Sequence, residues 1–155
     1  MKFQMSTPVR GHVPQEIINV FDFDLLRALS PPMMKPELIS YGGYDPGSKI
    51  HFRLNTPFGT KDWKGVISEY SQNETEIYFT DEGVELPFGI KIWKHKHRLI
   101  RRPYGTEIRD EVEFSFRGVL SCLFLTPGIW LQFFYRKPLY AKIISRRLKN
   151  KCENL

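Results

Sequence analysis

From Leu38 to Phe116 apolar and polar residues alternate in successive runs, and each run stops at a cluster of Gly, Pro, Asn or Asp. Alternation with period two is the mark of a strand that turns one face to a core. It predicts strands over Leu38–Tyr41, Lys49–Thr56, Lys61–Tyr70, Glu74–Glu82, Ile90–Arg101 and Thr106–Phe116, joined as an antiparallel meander, with an opening strand over Lys2–Pro8. Pro14-Gln15-Glu16 ahead of Ile17, Ile18, Val20 and Phe21 predicts a short helix with proline in its first turn. Asp24 is placed to cap a second short helix over Leu25, Leu26 and Leu29, which Pro31-Pro32 would end.

Beyond Phe116 the period changes. Gly118 to Tyr135 carries no charge, and Trp130, Phe133, Phe134, Tyr140, Ile144 and Leu148 fall broadly on one side of a helix. The expected fold is α+β: one domain over residues 1–155, with a curved antiparallel sheet wrapped around a long C-terminal helix and two short helices after the first strand. The concave face of the sheet is the place for that helix to bury its apolar side.

Composition adds a roomy interior. The 155 residues are 41% hydrophobic and 26% charged, as in a globular protein, while 14% are aromatic, which suits strands around apolar space. Cys122 and Cys152 lack metal-type spacing and read as reduced thiols. Met1-Lys2-Phe3-Gln4-Met5 alternates and forms no signal-peptide block, so a cytoplasmic location is expected.

The net charge of +6 changes the picture only once it is located. Acidic and basic residues balance over 1–135, and the surplus falls on Arg136, Lys137, Lys142, Arg146, Arg147, Lys149 and Lys151 of the terminal helix. A solvated helix face accounts for this, and no nucleic-acid partner is expected. Pro127-Gly128 would interrupt the uncharged run before it reached spanning length. Leu123, Phe124, Leu125 and Trp130 followed by basic residues are also suited to an anionic bilayer, so a peripheral membrane contact through residues 123–149 stays open.

Candidate chemistry gathers on the last hairpin. Trp93, His95, His97 and Leu99 share one face of their strand, and Ile108, Asp110, Val112 and Phe114 share one face of the next. A loop at Arg102–Gly105 pairs Trp93 with Phe114, His95 with Val112 and His97 with Asp110, while Lys94 and Lys96 meet Glu113 and Glu111 on the wet side. A tighter turn at Tyr104-Gly105 would instead bring Leu99 opposite Asp110. In either register two imidazoles and a carboxylate lie on an apolar wall, where unpaired burial is costly. They can satisfy each other, orient a ligand, act as acid–base pair (His97 with Asp110 behind it), or hold a metal through His95, His97 and Asp110. No cofactor is implied, and no further His or Cys is evident for a metal; His12 and His51 are expected to face solvent.

The run Trp93-x-His95-x-His97-x-Leu99 followed by Gly105-Thr106-x-Ile108-x-Asp110-x-Val112 resembles the START-like superfamily, also called SRPBCC or Bet v 1-like, in its bacterial branch allied to polyketide cyclase/dehydrase domains. Pro46-Gly47-Ser48-Lys49-Ile50, Trp63 with Ile67, Phe79-Thr80-Asp81-Glu82, Pro87-Phe88 and Phe134-Tyr135-Arg136 match in the same order, over roughly residues 2–148. The resemblance implies a helix-grip fold whose cavity takes a lipid, polyketide or isoprenoid-like molecule. It implies that Trp63, Ile67, Phe79, Trp93, His95, His97, Asp110 and Val112 line or floor that cavity, and that Tyr135 and Arg136 close the helix over it. Two positions depart from the pattern: Leu86 stands where relatives often have glycine, and Gly83 where they often have a polar side chain.

Overall fold

The computed structural model describes residues 1–57 and 59–153. Seven strands form one antiparallel sheet: β1 (Lys2–Arg10), β2 (Pro36–Tyr41), β3 (Lys49–Thr56), β4 (Gly59–Gln72), β5 (Glu76–Glu85), β6 (Ile90–Arg102) and β7 (Gly105–Phe116). Their order is β1-β7-β6-β5-β4-β3-β2, so the chain crosses from one edge to the other through α1 (Pro14–Ile18) and α2 (Phe23–Ala28), then meanders back. The long helix α3 (Val119–Glu153) packs against β1, β7 and both short helices. This is the expected α+β helix-grip architecture.

The hairpin takes the first of the two registers. His97 pairs with Asp110, His95 with Val112 and Trp93 with Phe114, and Leu99 faces Ile108. The wet side follows, with Lys94 opposite Glu113 and Lys96 opposite Glu111.

Helix α3 buries Phe133, Arg136, Tyr140, Ile143 and Ile144, a spacing that keeps one stripe inward. Three expectations are corrected here. Pro127-Gly128 does not interrupt the helix, and neither does Pro138. Both prolines are exposed, so the carbonyls they leave unbonded, on the exposed Leu123 and Phe134, can be met by water. Phe134 lies outside the buried stripe, while Trp130 is only half covered, by stacking on Phe3. The cap of α2 is Asp22, whose Oδ1 accepts from the Leu25 amide at 2.9 Å, not Asp24. The choice is made from far away: Arg147 of α3 grips both Asp22 oxygens at 2.7 and 2.8 Å and also donates to the Val20 carbonyl. Arg136 and Arg147 are thus built into the fold, so the basic surplus is not wholly a solvated face.

The core falls into two clusters. Val9, Ile17, Phe21, Leu25, Ile77, Leu99, Ile108, Tyr140 and Ile144 pack under α1 and α2. Ile90, Trp93, Val112, Phe114 and Phe133 pack at the other end. Along β6 and β7 the residues between them are His95, His97 and Asp110.

At the sheet edge Glu107 ties β1 to the hairpin, accepting from Ser6, Arg102 and Arg109. Burial alone would raise its pKa, but these three partners outweigh it and draw it down from 4.5 to about 2. A carboxylate depressed in the folded state stabilises the fold fully above its ordinary value and loses that contribution as pH falls toward the folded value. Glu107→Gln should therefore lower the urea midpoint at neutral pH, with the gap to wild type closing between about pH 4.5 and pH 2. Parallel midpoints at every pH would remove this role.

Candidate ligand cavity and its polar floor

Between the sheet, α2 and α3 lies a cavity of about 550 Å³. Its wall is mostly apolar: Leu25 and Leu29 from α2, Ile50, Phe52 and Leu54 from β3, Trp63 and Ile67 from β4, Phe79 from β5, Trp93 from β6, and Ile129 from α3. Alternation explains the strand contributions, since these are the inward positions of twisted strands. Met33, Pro57, Gly128 and Leu131 also line the cavity yet are exposed, which places its mouth between the turn after α2, the tip of the β3–β4 hairpin and the first half of α3. Phe88 faces the cavity from a left-handed backbone (φ 59°), a conformation costly for a side chain of that size, followed by Gly89 at φ 73°.

Of the residues singled out from sequence, Trp63, Ile67, Phe79, Trp93, His95, His97 and Arg136 line this cavity. Three do not. Asp110 is buried behind the wall, covered by both imidazoles, and Val112 is covered by the second core cluster, which includes Phe133 of α3. Tyr135 is turned outward and is 40% exposed, because one residue along a helix rotates the side chain away from the stripe that buries Arg136. His12 and His51 are partly covered rather than solvent-facing, within 3.6 Å of Glu16 and 3.7 Å of Asp62 respectively.

The floor of the cavity is a closed polar cluster of four residues. Asp110 Oδ1 lies 3.0 Å from His95 Nε2 and 3.1 Å from His97 Nδ1. Asp81 Oδ2 lies 3.3 Å from His97 Nε2 and 3.6 Å from His95 Nδ1, and its Oδ1 accepts from the Trp93 indole at 3.2 Å. The imidazole centroids are only 3.7 Å apart, and Phe79 stacks on His97 at 4.5 Å. Asp81 belongs to the run Phe79-Thr80-Asp81-Glu82. The signal for it was available, since Asp81 shares the inward face of β5 with Phe79. Tyr44, which also lines the cavity and packs on Phe79 at 4.7 Å, comes from a turn where no periodicity marks it.

The electrostatics follow from this crowding. Burial would raise Asp110, yet the two imidazoles hold it well below the usual carboxylate range, and Asp81 is lowered in the same way, chiefly by His97 against its burial. Burial and the neighbouring His97 push His95 below an ordinary histidine. Burial also works against a proton on His97, but contact with Asp110 and Asp81 wins and raises it. The cluster thus favours a proton on His97 over His95, between two carboxylates. Burial and the nearby Asp110 charge push Tyr140 up, so its phenol stays neutral against the cluster. Arg136 completes the floor from α3, its guanidinium 4.8 Å from the Phe133 ring and its Nε buried without a protein partner.

The two departures from the family pattern meet beside this wall. The methyl groups of Leu86 fill the space over Gly83, where any Cβ would strike them.

No family model and no curated protein matches the sequence. Solved structures do match in shape. The di-domain ARO/CYC StfQ from the steffimycin biosynthetic pathway superposes with a TM-score of 0.69 at 12% identity over 94% of this chain, which spans about half (51%) of that protein. The Zhui aromatase/cyclase from Streptomyces sp. R1128 gives 0.65 at 9% identity, covering 96% of this chain and 94% of that one. Ara h 8.0201 gives 0.56 at 16%, covering 92% and 97%. The fold is START-like. At these identities the likeness establishes the shape of the START-like scaffold alone.

The buried cluster makes a stability prediction. Removing one partner strands the others in an apolar interior. Asp110→Ala should lower the unfolding free energy by about 3–5 kcal/mol, whereas Glu111→Ala, which breaks a half-exposed pair with Arg98, should cost under about 1 kcal/mol. Urea denaturation of both variants checks this, and equal losses would contradict it.

Proposed function

We propose that this protein binds an apolar small molecule, a lipid, polyketide or isoprenoid-like compound, in the cavity between the sheet and α3. The cavity itself carries the reading: about 550 Å³ walled by aromatic and aliphatic side chains falls in the range of drug-sized ligand sites, with a few polar groups gathered at one end. Two neighbours in shape, an ARO/CYC protein and an aromatase/cyclase, fit a ligand of this class. Arg136 adds a preference. It lines the cavity as a cation, which favours a molecule that presents an acceptor, such as a carbonyl or carboxylate, at that end.

Trp63 and Trp93 stand on the wall with ring centroids 5.0 Å apart and report occupancy directly. In a Trp130→Phe background, oleate should quench their fluorescence saturably with one equivalent. Replacing Ile50 and Leu54 together by Phe, to fill the cavity, should weaken binding roughly tenfold or more, and Arg136→Met should discriminate against oleate relative to its methyl ester. Native mass spectrometry of the protein as purified should find a retained apolar compound. Quenching that never saturates, or survives the filled cavity unchanged, would remove the reading.

A specific feature favours a membrane as the source of the ligand. The first half of α3 exposes Val119, Leu120, Leu123, Phe124 and Leu131, and Leu131 and Met33 stand at the cavity mouth, each 70% exposed. The basic residues of the same helix would favour an anionic surface. No helix among the described residues is long and apolar enough to cross a membrane, so contact would be peripheral. Flotation with phosphatidylserine-containing vesicles should recover the protein at low salt. Recovery should fall as the Debye length shrinks, and Phe124→Glu with Leu131→Glu should abolish it; wild-type protein left at the bottom of the gradient would exclude this route.

A further inference from the structure

We propose that His95 Nδ1, His97 Nε2 and Asp81 Oδ2 form a binding site for a divalent transition metal, open to the cavity. The site is independent of which apolar molecule binds above it.

On each of these side chains one atom is already engaged. His95 Nε2 is hydrogen-bonded to Asp110 Oδ1 at 3.0 Å, and His97 Nδ1 faces the same oxygen at 3.1 Å. The opposite nitrogens, His95 Nδ1 and His97 Nε2, both lie against the same oxygen of Asp81, where a bound metal would displace the proton that His97 otherwise shares with that carboxylate. The other Asp81 oxygen is occupied by the Trp93 indole. His95 and Asp81 therefore each have a hydrogen-bonded outer partner on the atom that would not bind metal, the arrangement by which proteins orient metal ligands, while His97 is held by the nearby Asp110 charge and by Phe79 stacked on its ring.

Distances agree. The three atoms lie within 4.8 Å of one another, with 3.3 and 3.6 Å separating the two nitrogens from Asp81 Oδ2. Metal–ligand bonds of about 2.0–2.1 Å set ligand atoms about 3.3 Å apart around a tetrahedral ion. Small rotations of the side chains would close the set. Two nitrogens and one carboxylate suit zinc or ferrous iron over magnesium or calcium.

Placement gives the site a use. Asp81, His95 and His97 all face the cavity while Asp110 lies behind them, so the remaining coordination positions open toward bound ligand. Three protein ligands with an open position are the pattern of a metal that polarises a carbonyl or binds an anionic head, in contrast to a closed structural site.

The test uses the metal alone. Protein stripped with a chelator is titrated with Co²⁺, read by its ligand-field absorption, and with Zn²⁺, read by calorimetry. One equivalent should bind, and the Co²⁺ spectrum should be that of a four- or five-coordinate ion. The isosteric Asp81→Asn should weaken binding by at least tenfold. Trp93→Phe, which keeps all three ligands, should weaken it by about tenfold through its outer contact alone. Circular dichroism confirms that each variant is folded, and His12→Ala with Cys152→Ser should leave binding unchanged. Absence of stoichiometric binding, or binding undiminished in Asp81→Asn, overturns the proposal. Oleate quenching in the same samples reads the apolar site separately, so loss of one reading leaves the other standing.

Discussion

Asp110 is a carboxylate placed inside an apolar wall, and much of the structure is arranged to make that tolerable. Its negative charge is stable there only because two imidazoles approach the same oxygen, at 3.0 and 3.1 Å. That demand fixes the β6–β7 register. A slip of β6 by one residue would turn both imidazoles toward solvent and strand the carboxylate, and a slip of two would set Leu99 against it. It also divides the interior. Apolar side chains from α3 pack above and below the polar layer, at Ile144 and Phe133, but over the cluster itself α3 brings Arg136 and Tyr140, side chains with polar ends. The hollow in front of the cluster therefore persists where a uniform core would have closed.

How far this was legible in sequence depends on the range of the forces involved. Strand alternation is local, so the strands, their inward faces and the placing of Lys94 opposite Glu113 and Lys96 opposite Glu111 could be read directly, although the two lysines make their ion pairs with Glu82 and Glu69 on the other side. Asp81 obeys the same rule and was readable in principle. Its importance appears only when β5 is laid beside β6, which sets Asp81 opposite His95. Tyr44 and Asp22 were not readable. One reaches the core from a turn, and the other is chosen over Asp24 by an arginine 125 residues away. Helical spacing placed Phe133, Tyr140 and Ile144 correctly but could not decide how much of α3 would find a partner, and Phe134 and Trp130 went to the less covered side for that reason.

Helix α3 performs two jobs in its two halves. The C-terminal half is fastened by Ile143 and Ile144 in the core and by Arg147 on the α1–α2 connection. The N-terminal half roofs the cavity with Leu125 and Ile129 while leaving Leu120, Leu123 and Phe124 uncovered. Exposed Pro127 thins the backbone bonding of that roof without ending it, and Pro138 does the same where the two halves meet. Segments with few buried contacts open at lower free energy than the domain as a whole, and here the less anchored segment is the one beside the mouth.

Leu86 lying over Gly83 has a consequence of another kind, for what either position can become. The methyl groups of Leu86 occupy the space that a Cβ at 83 would enter, so a side chain there is admitted only if the leucine turns aside. The two positions share one volume. The effects of substitutions at 83 and 86 therefore cannot be added, and a score that treated either site alone would misjudge both.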